Sequence, residues 1–373
     1  MKLENITKSE RLESLDALRG FDMLWISGGG GLIFALQKAS EWKFFDWAAH
    51  HMEHVEWHGF AFYDMIFPLF LFIAGVSMPF SIQKRLSRGG SRRSIYNHAF
   101  RRLFLLILLG LLYNGLLQFD WENMRYASVL GRIGIAWFFA TIIVMNANLK
   151  WQIIWFWGIL IVYWLLMMFV PVPGYGAGVL TVEGSLAGYI DRILVPGRLY
   201  LEVHDPEGLF SSIPAISTAL MGALTGSFLK HTSKQFTKFR KGITLALAGL
   251  AAVGLGMLWD LHFPINKNLW TSSFVLFAGG WSLILLSIFY LIIDVWGFRK
   301  WAFFFKVIGL NSITIYMVQW NLINFQTANN FLFGGLIDAF NPPLRAVIAS
   351  LGYITCMWLF LYILYKKKIF LKV

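Results

Sequence analysis

Half of the chain's eight histidines fall in one short segment, at His50, His51, His54 and His58. A neutral imidazole, with an ordinary pKa near ~6.5, can take a proton from an amine or a hydroxyl group. One interpretation is therefore a catalytic histidine at a membrane surface. A second is a metal site, because His50, His54 and His58 would share one face of a helix. A third is an interfacial belt of aromatic and histidine side chains, and the spacing alone does not choose among the three.

Polar and charged side chains also fall inside or at the ends of strongly apolar stretches. They are Asp16, Arg19, Asp64, Asn114, Arg132, Asn311, Ser312 and Gln319. Such residues are costly in hydrocarbon unless they pair or line a cavity. Each one alone is equally consistent with an internal hydrogen bond or with a carboxylate at a helix start. Together they predict a polar cavity.

A run of glycines, Gly28 to Gly31, lies within the first apolar stretch. Glycines permit close approach by another helix or by a ligand. The run does not predict a phosphate-binding loop, because neither a Lys-Ser nor a Lys-Thr pair follows it.

These residues must be positioned by membrane-spanning helices. Of the 373 residues, 57% are hydrophobic and 14% are charged, which is far too apolar for an ordinary soluble domain. The apolar runs reach about twenty residues, enough to cross a hydrocarbon layer ~30 Å thick. The prediction is an all-α, polytopic transmembrane bundle of about ten spans, forming a single domain over residues 1–373. The spans are expected near residues 15–36, 64–82, 103–117, 129–145, 151–170, 209–229, 243–259, 273–293, 302–323 and 344–365. The first is not expected to be a cleavable signal peptide, because Asp16 and Arg19 stand where an apolar region should begin.

Lysine and arginine accumulate in one set of connections, and such residues are retained on the cytoplasmic side of membranes. The basic clusters are Lys84, Arg85, Arg88, Arg92, Arg93, Arg101 and Arg102; Lys230, Lys234, Lys238, Arg240 and Lys241; and Lys366, Lys367, Lys368 and Lys372. With an even number of spans all three clusters lie on one side, so both termini are predicted to be cytoplasmic. The net charge of +12 follows largely from this distribution, so no nucleic-acid partner is expected. A polyanion such as coenzyme A would be attracted to this face.

The predicted outer side carries the histidine segment, a long connection over residues 171–208, and a loop over residues 263–270. Several of these segments together resemble the heparan-alpha-glucosaminide N-acetyltransferase family and its bacterial relatives. The resemblance is carried, in order, by RLESLDALRG (11–20), HVEWHG (54–59), DMIFP (64–68), FIAG (72–75), Trp121 with Arg125, VLGR (129–132), GYIDR (188–192), DPEG (205–208), NKNLW (266–270) and GLNSI (309–313). The chain departs from the family at Gly131, where glutamine is frequent, and at Gln319, where some members carry histidine.

The resemblance implies an acetyltransferase that uses cytoplasmic acetyl-CoA as co-substrate, needs no metal, and acetylates the amine of a glucosamine-type sugar on the far side of the bilayer. It places the active histidine at His54, as general base or acetyl carrier, and Asp64, Asp16 or Arg19 would orient it. Substrate contacts are expected from Asp16, Arg19, Trp57, Arg125, Arg132, Glu207, Lys267, Asn268, Asn311 and Ser312. Trp57 and Trp270 would stack on sugar or anchor at the interface, and Arg125 and Glu207 would bind sugar or fix loops.

The resemblance also suggests a homodimer. Because the chain begins almost at its first span, a bacterial inner membrane is the expected location. A second class of function stays open from the residues alone, namely a carrier or flippase whose intramembrane polar residues line a path for a sugar or a lipid-linked substrate.

Overall fold

The computed structural model describes residues 12–232 and 235–371, so Arg11, Lys234 and Lys372 lie outside the described residues. This part of the chain is helical, with two isolated β-bridges and no strand, which confirms the all-α prediction. The α-helices are α1 (Glu13–Leu24), α2 (Gly30–Ala39), α3 (Lys43–His50), α4 (Ile66–Leu86), α5 (Arg92–Tyr113), α6 (Val129–Asn146), α7 (Leu149–Phe169), α8 (Leu186–Leu194), α9 (Ser212–Lys230), α10 (Lys238–Asp260), α11 (Ser272–Phe289), α12 (Ala302–Leu310), α13 (Ser312–Asn321), α14 (Phe325–Asp338) and α15 (Pro342–Lys366).

Eight helical segments in the described residues are long and apolar enough to cross a membrane, and up to nine if α12 and α13 form one bent span. Each of the eight overlaps a predicted span. The boundaries differ most at α5, which begins at Arg92 and ends at Tyr113, where Asn114 and the left-handed Gly115 (φ 97°) terminate it. The count of about ten spans stays a prediction.

The first predicted span is not one continuous helix. A π-helical turn, Trp25–Gly29, separates α1 from α2, and within it Ser27 and Gly28 leave helical geometry. Gly28 has φ 129°, a conformation that glycine adopts readily because it has no β-carbon. The glycine run therefore interrupts the helix at Gly28.

The ninth predicted span is also broken. The chain bends by 69° between α12 and α13, at Asn311. Residues 324–343 lie between two predicted spans. They include α14, which packs against α15, with the Phe325 ring centroid 6.0 Å from that of Tyr353 and 5.7 Å from that of Phe360. Because Phe325 packs against the middle of α15, α14 continues the bent α12–α13 pair and lies against the bundle.

Small residues bring the central helices into backbone contact. On α4 and α9, a β-carbon added at Gly222 would collide with the carbonyl oxygen of Phe72, and on α1 and α12 one added at Gly20 would collide with that of Phe305. Such close approach is typical of helices packed in membranes. These contacts position the start of α4 beside the outer loops.

Candidate active site

His54 and Asp64 form a hydrogen-bonded pair at the start of α4. His54 Nδ1 lies 2.7 Å from Asp64 Oδ1, and the other carboxylate oxygen accepts the backbone N–H of Ala61 at 2.9 Å. A carboxylate can only accept, so Nδ1 carries a proton, and the tautomer of the neutral ring that fits this bond has its lone pair on Nε2. The Asp64 side chain is 1% exposed, whereas that of His54 is 49% exposed. A buried acid thus orients a histidine whose side chain is half exposed.

Lys267 completes this cluster from a distant part of the chain. Its Nζ lies 3.1 Å from both ring nitrogens of His54 and 3.7 Å from Asp64 Oδ1, with 15% of the side chain exposed. Burial lowers the pKa of Lys267, although the negative charges of Glu207 and Asp64 oppose that shift.

A tightly bonded turn holds Lys267 in place. The side chain of Asn266 accepts from the backbone N–H of Leu269 at 2.8 Å, and the backbone N–H of Asn266 donates to Thr271 Oγ1 at 3.1 Å. Trp270 adopts φ 50°, which is uncommon for a residue with a side chain. Its ring is fully buried, and its indole N–H donates to Thr218 at 3.2 Å. The sugar-stacking and interface-anchoring interpretations of Trp270 are therefore wrong, because burial removes this ring from both ligand and lipid.

The remaining histidines do not support the metal interpretation. Helix α3 ends at His50, and His54 and His58 follow in non-helical turns, so the three do not share a helix face. His58 Nδ1 instead lies 3.2 Å from the side-chain amide of Asn266. Burial lowers the pKa of His58. Among the described residues no three His, Cys, Asp or Glu side chains are grouped so that they could hold a metal ion.

Trp57 ties the histidine segment to the long outer connection. Its indole N–H donates to the carbonyl oxygen of Leu180 at 2.7 Å, and its ring packs edge-on against His204 with centroids 5.5 Å apart. Burial lowers the pKa of His204 to about 4, so this ring is neutral. His204 Nε2 lies 3.1 Å from the backbone oxygen of Asn268 and donates to it. Through His204, Trp57 thus lies close to the turn that contains Lys267 and Asn268.

Arg125 is held by two carboxylates of the same connection. It donates to both oxygens of Asp205, at 2.8 and 2.6 Å, and is also paired with Glu207. Burial opposes ionisation of Asp205, but the hydrogen bonds and charge of Arg125 hold its pKa below the usual value. This arrangement favours a loop-fixing role for Arg125 and Glu207 over direct sugar binding.

Arg132 is buried one turn into α6 and bonds the start of α9. It donates to the carbonyl oxygen of Gly208 at 3.2 Å and to Ser212 at 3.3 Å, and is also bonded to Ser211. The negative charge of Glu207 raises the pKa of Lys267, and the positive charge of Arg132 lowers it. Arg132 therefore belongs to the electrostatic surroundings of the cluster.

Four predicted site residues lie elsewhere. Asp16 and Arg19 pair with each other at 3.9 Å, and Arg19 donates to Ser77 at 3.4 Å. Ser77 lies about 20 Å further along the helix than Asp64. Neither Asp16 nor Arg19 therefore orients His54. Asn311 and Ser312 are buried at the break between α12 and α13.

The sequence did not single out Tyr63, whose ring packs on His54 with centroids 4.7 Å apart. It also did not single out Asn266 or His204, both fully buried. Asn266 falls inside a motif that carried the family resemblance, which was the one available signal for it. No local pattern distinguishes Tyr63 from the many other aromatic residues.

Comparison with known proteins matches this chain along most of its length. A family described as "Domain of unknown function (DUF5009)" matches residues 11–116. Heparan-alpha-glucosaminide N-acetyltransferase from Homo sapiens is 27% identical over an alignment of 434 positions, covering 97% of this chain and 60% of the relative. The enzyme of that name from Mus musculus is also 27% identical, covering 98% and 61%. The chain thus spans about 60% of the length of the curated relatives it matches. With 97% of its residues aligned at 27% identity, the chain is similar to the heparan-alpha-glucosaminide N-acetyltransferases over most of its length.

Proposed function

We propose that this chain is a membrane acetyltransferase that transfers the acetyl group of acetyl-CoA to the amine of a glucosamine-type sugar. The observation that carries the proposal is the His54–Asp64 pair, 2.7 Å apart, with a buried acid and a half-exposed histidine. The names of the relatives supply the reaction class and the kind of acceptor. Transfer from a thioester to an amine needs a base for the amine and a positive or donating group for the oxyanion.

In the proposed reaction His54 Nε2 takes a proton from the acceptor ammonium, and the free amine attacks the thioester carbonyl. Lys267 Nζ, 3.1 Å from Nε2, donates to the oxyanion that forms on the carbonyl oxygen. Collapse breaks the carbon–sulfur bond and releases the thiolate of coenzyme A. The nitrogen loses two protons on going from ammonium to amide: the one taken by His54 passes to the thiolate and forms the thiol of coenzyme A, and the other is released to solvent.

A covalent route uses the same atoms. His54 Nε2 attacks the thioester first, coenzyme A leaves, and the amine then removes the acetyl group from the imidazole. The two routes differ kinetically, because only the covalent route releases thiol before the acceptor binds.

The proposed topology has about ten spans with both termini in the cytoplasm, counting the broken α1–α2 and α12–α14 segments as spans. The basic clusters support this orientation, since it places them together on the inner side. Cytoplasmic acetyl-CoA would then reach His54 from the side opposite to the acceptor. A bacterial inner membrane and a homodimer are further parts of the proposal that rest on the resemblance.

The test is acceptor-dependent thiol release by the purified protein in detergent, measured with acetyl-CoA and glucosamine. His54→Ala should abolish release while the variant elutes and melts like the parent. His50→Ala is the matched control, since His50 is exposed and lies in the same segment. Near-normal turnover in His54→Ala would defeat the assignment.

The broken helices at Gly28 and Asn311 favour one other candidate, because discontinuous helices line the substrate sites of many carriers. A carrier would move or flip a sugar without consuming acetyl-CoA. If no amino sugar in a broad panel elicits thiol release, but vesicles containing the protein take up the sugar, the carrier is the correct class.

A further inference from the structure

A cavity of about 370 Å³ lies beside the proposed active site and is not used by the mechanism. Its wall is formed by the glycine run of the first broken helix, with Met52 and Tyr63 at one end and Tyr353 of α15 at the other. Tyr63 is the residue whose ring packs on His54. The cavity therefore adjoins the proposed reactive histidine through the Tyr63 ring.

Gly30 and Gly31 are not needed for helix packing, whereas a β-carbon at Gly28 would lie 3.0 Å from Ile354 and 3.1 Å from Tyr353 of α15. A β-carbon at Gly31 would meet no atom within 4 Å, and one at Gly30 would meet only the carbonyl oxygen of Trp25, at 3.4 Å. Gly30 is nevertheless buried. At Gly20, by contrast, an added β-carbon would collide with the backbone of α12. Gly30 and Gly31 leave space, which decides between the helix-packing and ligand-approach interpretations of the run.

The lining chemistry is aromatic and uncharged. Trp25, Phe34, Tyr63 and Tyr353 contribute rings, and Gln326 and Ser350 contribute polar groups. Trp25 Nε1 is buried and has no hydrogen-bond partner among the described residues. Aromatic faces combined with a few neutral donors and acceptors suit a small uncharged ring that carries hydroxyl groups. They do not suit the phosphates of coenzyme A, which require cationic partners.

Among the α15 residues that line the cavity, Tyr353 lies nearest to the basic C-terminal end of that helix. Tyr353 also packs against a buried apolar cluster, which includes Met23, Ile308, Met357 and Leu361. Met357 and Leu361 follow Tyr353 along α15 toward its basic C-terminal end. Met52 and Tyr63 belong to the histidine segment, so the cavity adjoins the side predicted to be the outer one, where the acceptor is expected.

We propose that this cavity is an acceptor subsite that binds a sugar ring of a glucosamine-type substrate while its amine lies at His54. The inference rests on the proposed function and adds to it the residues that recognise the sugar. Filling the cavity should weaken acceptor binding and leave donor binding intact, because donor and acceptor approach from opposite sides.

The experiment compares Gly30→Leu and Gly31→Leu with Gly254→Leu. Gly254 on α10 is exposed, and a β-carbon there also meets no atom within 4 Å, so the three substitutions are matched in helix propensity and added volume. The probes are acetyl-CoA and the β-1,4-linked disaccharide of glucosamine. We expect KM for the disaccharide to rise about tenfold or more in the two cavity variants, with KM for acetyl-CoA changed less than about twofold and Gly254→Leu unchanged.

Two results would overturn the inference. One is an unchanged KM for the disaccharide in both cavity variants while they melt like the parent. The other is a rise in KM for acetyl-CoA instead, which would place the donor in the cavity. If the parent protein releases no thiol, the proposed function fails, and equilibrium binding of the radiolabelled disaccharide then tests the cavity alone. Binding lost in Gly31→Leu and retained in Gly254→Leu would support it, and no binding by the parent would refute it.

Discussion

Replacing Asp64 by asparagine separates the charge of the buried acid from its shape. The backbone N–H of Ala61 requires an acceptor at one oxygen position, at 2.9 Å, so the amide nitrogen of the substituted side chain would face His54. That nitrogen donates, so His54 Nδ1 must accept and the ring proton moves to Nε2. The nitrogen proposed to react would then lack its lone pair.

The structure sets the size of the expected loss. A hydrogen bond to a charged group contributes ~1.5–3 kcal/mol. The charge of Asp64 also faces Lys267 at 3.7 Å, an interaction of about 4 kcal/mol at an effective dielectric constant of ~20 before desolvation is counted. Because the analogous substitution in serine proteases lowers kcat by ~10⁴ through the wrong tautomer, we expect a decrease in kcat of about 10²–10⁴.

The assay is the initial rate of thiol release at saturating acetyl-CoA and acceptor, with thermal unfolding followed in parallel. Glu53→Gln is the matched control, because it removes one negative charge from an exposed side chain in the same segment. If Asp64→Asn keeps more than about a third of the parental kcat with an unchanged melting temperature, the tautomer argument is refuted.

Three further outcomes follow from the same geometry. Lys267→Met should lower kcat by about 10²-fold, and Lys267→Arg should lose less because it keeps the positive charge; equal losses in both would count against an electrostatic role. Arg125→Ala leaves the carboxylates of Asp205 and Glu207 buried without their cation, so unfolding in detergent should occur at a markedly lower temperature, with a cost of about 3–5 kcal/mol. Burial raises the pKa of Asp191 to about 6, above its unfolded value of 3.8, so this residue favours the folded state at low pH and loses that contribution as pH rises through about 6. The melting temperature of Asp191→Asn relative to the parent should therefore be higher at pH ~7.5 than at pH ~5, by an amount equivalent to roughly 1 kcal/mol, and an opposite trend would contradict the assigned cause.

Hydrophobic patterning was sufficient to locate the eight helices that are long and apolar enough to cross a membrane, but not the shorter α3, α8 and α14. Long apolar runs must form helices in a bilayer, because every backbone polar group needs an internal partner there. Several helix starts are also determined by local sequence: the side chains of Ser128 and Thr271, for example, accept backbone N–H groups at the starts of α6 and α11. The pairing of His54 with Asp64 spans only ten positions and falls within one recognisable segment.

The interruptions of the helices were not predictable in the same way. A hydropathy window sums side-chain transfer energies and does not register that Gly28 adopts φ 129° or that the chain bends at Asn311. The connection after residue 323 was likewise expected as a loop, since nothing local shows that Phe325 packs against the middle of α15.

The sequence by itself determined the helical membrane class, the residues able to do chemistry, and the family they resemble. Tertiary structure alone decided which of them meet. It brought Lys267 to His54 across 213 positions, kept Asp16 and Arg19 away from that pair, and buried Trp270. The physical reason is that spacing along a chain constrains neighbours within a helix turn or two, whereas contacts between distant loops depend on how closely the helices pack. In this chain that packing is governed by glycines, of which Gly20 admits a neighbouring backbone and Gly31 leaves a cavity.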